Sequence, residues 1–143
     1  MVRLAAAADW ERIRAGYEAW KYQGGVQPSD TIYLAERDGK LLGFVRRTVE
    51  HGVHVLRGMR VVPDEQRTGI GKRILRHFVT QLGAHDCWCV PFTHLVGFYG
   101  SVGFAVVPEA EAPRFLQERV ATYRARGDNM LIMRRPASAP SPR

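Results

Sequence analysis

Residues 57–82 constrain this fold more than any other part of the chain. The apolar stretch 59–62 leads into a loop that carries Gly69 and Gly71. Lys72 to Leu82 follows, with Ile74, Leu75, Phe78, Val79 and Leu82 at helical spacing and Lys72, Arg73 and Arg76 on the other side. Strand, glycine loop and amphipathic helix in direct succession demand a sheet with a helix packed on it. Such a loop leaves several backbone N–H groups without acceptors where the helix begins. Together with the positive end of the helix dipole they make a seat for a phosphate or pyrophosphate. The two glycines let the backbone turn tightly and let a ligand approach with no Cβ in the way.

Three phosphate-binding designs compete for this segment. A dinucleotide fingerprint needs a third glycine at position 74, which is Ile74; a P-loop needs glycine at 66 and Ser or Thr at 73, which are Gln66 and Arg73. The third design, Gln/Arg-x-x-Gly-x-Gly/Ala, is met by Gln66, Arg67, Thr68, Gly69, Ile70 and Gly71. A second pattern lies downstream, where Phe98 and Tyr99 precede Gly103 and Phe104, the tyrosine five residues before the phenylalanine. Gly103 is expected to cap a short helix and Phe104 to open a strand over 104–107.

With these two motifs the chain resembles the GNAT superfamily of acyl-coenzyme A-dependent N-acyltransferases. The resemblance spans residues 1–135, with its specific letters at 59–72 and 98–104. It implies a mixed α/β fold: a mostly antiparallel sheet of six to seven strands, splayed between the fourth and fifth, with about four helices. It also implies acetyl-CoA as co-substrate, with no metal. Gln66 opens the coenzyme-binding motif, and backbone N–H groups of Arg67, Thr68, Gly69, Ile70, Gly71 and Lys72 would hold the pyrophosphate. Main-chain groups of Met59, Arg60 and Val61 would pair with the pantetheine arm, with Thr93 and Phe98 nearby. Tyr99 matches the family's usual proton donor to the departing thiolate.

The rest of the family pattern is incomplete. The strand glutamate that many members use as a base falls at Val55, and His54, Glu50 and His94 are the nearest titratable substitutes. The positions of a frequent Asn and Ala before the tyrosine hold Phe92 and Leu95, so Thr93 or His94 would have to replace the pantetheine contact. Acceptor recognition is expected from the first helix and its loop, the 46–56 hairpin and the 108–127 region. Trp20, Tyr22, Arg46, Arg47 and His51 are the candidates, and an arginine pair would favour a carboxylate-bearing amine. The leading expectation is an N-acetyltransferase for a small or amino-acid-like primary amine. A protein or peptide acetyltransferase and a non-catalytic acetyl-CoA sensor stay open.

Elsewhere the pattern gives an edge strand at 1–4, a helix capped by Asp9 with Trp10, Ile13, Tyr17 and Trp20 on one face, and a hairpin about Asp38-Gly39. Gly58 marks a bulge, Pro113 starts a helix ended by Gly127, and 130–133 reads as the last strand. Residues 1–135 read as one domain and 136–143 as a disordered tail. Cys87 and Cys89 read as buried thiols on a core strand, although His85 and His94 invite the thought of a metal. No run approaches a membrane span and no signal pattern opens the chain, so a cytoplasmic protein with no membrane partner is expected. The net charge of +7 suits anionic partners, coenzyme A among them. Nothing in the loop motif argues for nucleic acid, and a homodimer is expected from the resemblance alone.

Overall fold

The computed structural model describes residues 1–22 and 24–140. Seven strands form one open sheet: β1 (Val2–Leu4), β2 (Thr31–Arg37), β3 (Lys40–Glu50), β4 (Val53–Val61), β5 (Cys87–Cys89), β6 (Ala105–Val106) and β7 (Met133–Arg135), in the order β1-β2-β3-β4-β5-β7-β6. Every adjacent pair is antiparallel except β4 and β5, which run parallel and meet at a single position, Val55 against Trp88. The helices are α1 (Trp10–Ala19), α2 (Ile70–Leu82), α3 (Val96–Gly100) and α4 (Arg114–Ala125). This is the expected mixed sheet, splayed between its fourth and fifth strands.

Local chemistry explains the turns. Asp38 and Gly39 both take positive φ (52° and 78°), the mirror-image turn whose twist suits a two-residue hairpin. Gly58, also at positive φ, lies where β3 advances two residues (Phe44 to Arg46) while β4 advances three (Arg60 to Arg57). The bulge expected there is on β4. Helix α2 buries Ile70, Ile74, Leu75, Phe78, Val79 and Leu82, each contributing about 1.5–3 kcal/mol of burial, against one sheet face with Tyr33, Val45 and Leu56. Helix α1 covers the other face through Ile13 and Tyr17 against Ile32, Leu34 and Phe44, and α4 packs Leu116 and Val120 on Ile132.

Three expectations change. The last strand is β7, which starts at Met133 and not at 130, because its register is fixed by partners on β5: Met133 opposite Cys89 and Arg135 opposite Cys87. Met130 makes only an isolated bridge to Phe92. The strand expected over 104–107 is two residues long, with Phe104 buried ahead of it. Asp9 makes no side-chain cap to α1. Its carboxylate instead accepts from the Ala6 N–H (2.7 Å), from Arg3 Nη1 and Nη2 (2.8 and 2.9 Å) and from Arg12 (2.7 Å). Arg3 and Arg12 also reach Glu36 on β2, each at 2.7 Å, so one network ties β1, α1 and β2. The tail is placed as far as Pro140, with the Ala137 N–H donating to Asp86 and Arg135 donating to the Pro140 carbonyl. The rest of that segment, 141–143, lies outside the described residues.

The arginine network makes stability depend on acid. Hydrogen bonds from Arg3, then from the Ala6 amide and Arg12, hold the Asp9 carboxyl well below the usual carboxylate range, and Arg3 and Arg12 lower that of Glu36. A carboxylate whose folded pKa is depressed stabilises above its unfolded pKa, near ~4, and loses that contribution as pH falls toward the folded value. The urea midpoint is therefore expected to drop below roughly pH 4, and Asp9→Asn to flatten that slope. A wild-type midpoint that is level from neutral pH to roughly pH 3 refutes this role for the network.

Candidate active site

The site is built where β4 and β5 part. Beyond Val55, β4 has no partner on its β5 side, so its outer edge is open. Val62 donates its N–H to the Leu42 carbonyl, and antiparallel alternation then turns the Arg60 peptide groups inward to β3 and those of Val61 outward to the open edge. The Val61 carbonyl already accepts from the Gln66 side chain at 3.2 Å. The Val61 N–H remains available to an extended amide laid along the edge. The Arg60 guanidinium lies over the Trp20 ring, 5.2 Å from its centroid.

The same strand runs directly into the glycine loop. Arg67 and Gly69 both take positive φ (70° and 89°), and Gly69 is the residue from which α2 starts. The first intrahelical bond is Arg73 N–H to the Gly69 carbonyl. Among the described residues nothing accepts from the N–H groups of Ile70, Gly71 or Lys72, and no side chain caps this helix. Thr68 turns its hydroxyl away to the Glu65 carbonyl. A Cβ on Gly71 would stand 3.3 Å from a Val61 methyl and 3.5 Å from the Phe98 ring, so the loop, the strand and α3 converge at this glycine.

Helix α3 is only five residues long and is held by its exit. The Phe104 N–H donates to the Tyr99 carbonyl and the Gly103 N–H to the Gly100 carbonyl, with Gly103 at φ 99°: a full Schellman cap, as the Tyr-Gly-Phe spacing predicts. Tyr99 is 5% exposed, edge-on to Phe98 and Phe104. Its phenol pKa is raised by burial, so the group is protonated across the neutral range.

Tyr99 is part of the wall of a cavity of about 790 Å³ that opens between the splayed strands. Val55, Arg57 and Met59 of β4 line one side, Cys89 and Leu95 another, and Phe115, Arg119 and Tyr123 of α4 face them. Trp20 and Tyr22, stacked at 5.2 Å, close the end. The cavity thus gathers Tyr99, Met59, Trp20 and Tyr22 from the sequence-based candidates.

The other candidates lie elsewhere. Strand alternation puts His54 on the α2 face, where it accepts from Arg47 (3.2 Å) and its ring lies 4.2 Å from that of His85. Burial, helped by the Arg47 charge, lowers the His54 pKa. Arg47 itself reaches the Gln81 carbonyl at the end of α2. Arg46 is 1% exposed and donates to the Gly24 and Gly25 carbonyls and to Asp30, so it fastens the loop after α1. His94 is exposed beside Phe92, Thr93 donates its N–H to the Asn129 carbonyl, and His51 sits in the β3–β4 turn against Phe115. Glu50 binds Arg119 and Thr48 and lies 3.7 Å from Arg57; its pKa is lowered because these partners outweigh its burial.

Sequence reasoning did not single out Arg57, Phe115 or Arg119, and it offered Glu50 only as a substitute base, not as the partner of these arginines. A signal existed for part of this: Phe115, Arg119, Thr122 and Arg126 repeat at four, three and four, a second stripe on α4 beside the apolar one. Cys87 and Cys89 are buried free thiols, Cys87 pushed up to about 12 by burial. No group of three or more metal-ligating side chains occurs among the described residues.

A family model described as an acetyltransferase (GNAT) domain matches residues 28–106, from just before β2 to the end of β6. The chain belongs to the GNAT acetyltransferase family. The match takes in the open edge of β4, the glycine loop and Tyr99, the three parts of the site described above. No curated protein sequence matches this GNAT chain. Among solved structures, N-acetylglutamate synthase from Neisseria gonorrhoeae, complexed with coenzyme A and N-acetyl-glutamate, is 22% identical with a TM-score of 0.69, the match covering 94% of this chain and 35% of that one. The present chain therefore spans about a third of that protein's length. The ribosomal-protein-S18-alanine N-acetyltransferase from Escherichia coli is 18% identical (TM-score 0.66, 98% of this chain, 96% of that one). A GNAT family acetyltransferase from Brucella melitensis in complex with acetyl-CoA is 23% identical (TM-score 0.59, 73% of this chain, 82% of that one). At these identities the likeness is one of fold. No helix among the described residues is long and apolar enough to cross a membrane.

Proposed function

We propose that this GNAT acetyltransferase moves an acetyl group from acetyl-CoA to the primary amine of a small, amino-acid-like molecule by direct attack, with Tyr99 as the proton donor. The observation that carries the reading is the placement of a buried, protonated phenol in a cavity wall whose strand β4 leads straight to the unpaired amides of α2. The residues suit the coenzyme. The Ile70, Gly71 and Lys72 N–H groups face an approaching pyrophosphate at the positive end of a thirteen-residue helix. The Val61 N–H on the open edge suits a pantetheine amide.

Acetyl-CoA supplies the thioester: the amine nitrogen bonds to its carbonyl carbon, the carbon–sulfur bond breaks, and the sulfur leaves with the electron pair. The chain's part is to align the two reactants and to hold a proton where the sulfur departs. Tyr99 gives that proton and regains one from solvent, while the amine's proton leaves through water in the cavity. His54 is turned away behind β4, so we assign it no part in this transfer; its replacement by Gln serves as the control for the base.

Thermal unfolding with acetyl-CoA and with free coenzyme A, followed by thiol release over a panel of small primary amines, tests the reading. A ligand that binds the folded state raises the midpoint by mass action. The expected result is a midpoint rise with both coenzymes and thiol release with at least one amine. Binding without thiol release across the panel leaves the chain an acetyl-CoA sensor and defeats the transferase reading.

A further inference from the structure

Of the arginines that line the cavity, Arg57 from β4 and Arg119 from α4 are the more buried, both side chains being 17% exposed. One carboxylate stands between them. Glu50 is hydrogen bonded by Arg119 through both of its oxygens and also by the Thr48 hydroxyl, so its acceptor capacity is largely taken. Arg57 lies 3.7 Å from the same carboxylate, too far for a hydrogen bond. Asp30 is bound to Arg46, and the two acids of the cavity lining, Glu118 near Arg114 and Asp128 near Arg126, are largely or partly exposed to solvent. The phenols of Tyr22 and Tyr123 stand beside Arg57, and burial raises the pKa of Tyr22, so that phenol stays neutral. Arg57 and Arg119 thus place two guanidiniums about one carboxylate, in a partly desolvated site where an uncompensated charge is costly.

Arg57 also borders a second, polar groove shared with Glu50 and Thr48, so its head stands where the two spaces join. Trp20 and Phe115 give the same space aromatic walls, on which Arg60 and Arg119 are stacked. That combination suits a small molecule with an apolar body and one negative end.

We infer that the acceptor amine carries a carboxylate, and that Arg57, steadied by the Glu50–Arg119 pair, is the residue that reads it. The inference rests on the transferase reading proposed above and names its substrate class. Arg57 is a specificity residue: it takes the carboxylate while Tyr99, in the wall of the same cavity, serves the departing sulfur. Glu50 and Arg119 are positioning residues that keep the Arg57 side chain turned inward.

The test compares each L-amino acid with its own carboxamide and its decarboxylated amine, using acetyl-CoA and thiol release on the whole protein. A charge-assisted hydrogen bond contributes about 1.5–3 kcal/mol, so at least one acid should exceed its carboxamide roughly 10- to 100-fold in kcat/KM. Arg57→Gln should bring that ratio close to one by raising the KM of the acid, with the KM for acetyl-CoA unchanged. Arg114→Gln, which removes an exposed charge outside the cavity, should leave the ratio intact. Carboxamides or simple amines used as well as the acids by the wild-type protein overturn the inference and leave the transferase standing. An unaltered ratio in Arg57→Gln also overturns it. Thiol release with no amine at all removes the transferase reading and this inference with it. The wild-type comparison needs no variant, so the proposal stays open to refutation even if Arg57→Gln does not fold.

Discussion

Tyr99→Phe is expected to lower kcat roughly 100-fold, the scale of one general acid, while the KM values for acetyl-CoA and amine shift by no more than about threefold. The substitution removes one oxygen from a ring that is otherwise packed between Phe98 and Phe104, so the fold and both binding regions should survive. Burial raises the phenol pKa, and the proton therefore stays on Tyr99 well past neutral pH. The deficit of the variant should accordingly be constant from roughly pH 6 to 9, because no titration of this group falls in that window. Steady-state kinetics over that range are the measurement. A variant with wild-type kcat would show that the thiolate leaves unassisted or takes its proton elsewhere, and would return Tyr99 to the role of a core aromatic.

Gly71→Val should act on the coenzyme alone. Its branched side chain would be driven into the Val61 methyl and the Phe98 ring, which already stand 3.3 and 3.5 Å from where a first carbon would sit. The loop must then shift, and the amides of Ile70 to Lys72 lose their common aim. Losing one charge-assisted bond to a diphosphate costs about 1.5–3 kcal/mol, so the Kd for acetyl-CoA should rise on the order of 100-fold. Calorimetric titration with coenzyme A measures it directly, and an acceptor saturation series at very high acetyl-CoA should recover most of the wild-type kcat. If the variant binds coenzyme A as tightly as the parent, the pyrophosphate does not sit on these amides.

Much of this molecule was legible in its letters because the signals are local. Asp38-Gly39 sets its own hairpin, the helical stripe from Ile74 to Leu82 needs only a sheet to lie on, and Gly103 ends α3 through bonds no more than five residues long. Gly58 announced a bulge because glycine in a strand interior has few other uses. What escaped the reading was decided across the sheet. β7 takes its register from β5, some forty-five residues away, and not from its own most apolar stretch. Asp9 looks like a helix cap until Arg3 and Arg12 are seen to claim it. Arg46 and Arg47 are neighbours in sequence and stand on opposite faces, one tying down a loop and the other leaning on His54. The arginines at the cavity come from β4 and α4, sixty-two residues apart, and their partner Glu50 belongs to a third element.

The extra residue in β4 also governs how this strand can change. Arg57 and Arg60 pair with Arg46 and Phe44, so both point to the α1 side although they stand an odd number of positions apart. Deleting Gly58 would restore a plain alternation and swing everything from Met59 onward to the opposite side, carrying the entry to the glycine loop with it. Side chains along this stretch are therefore open to exchange during engineering or drift, whereas its length is not.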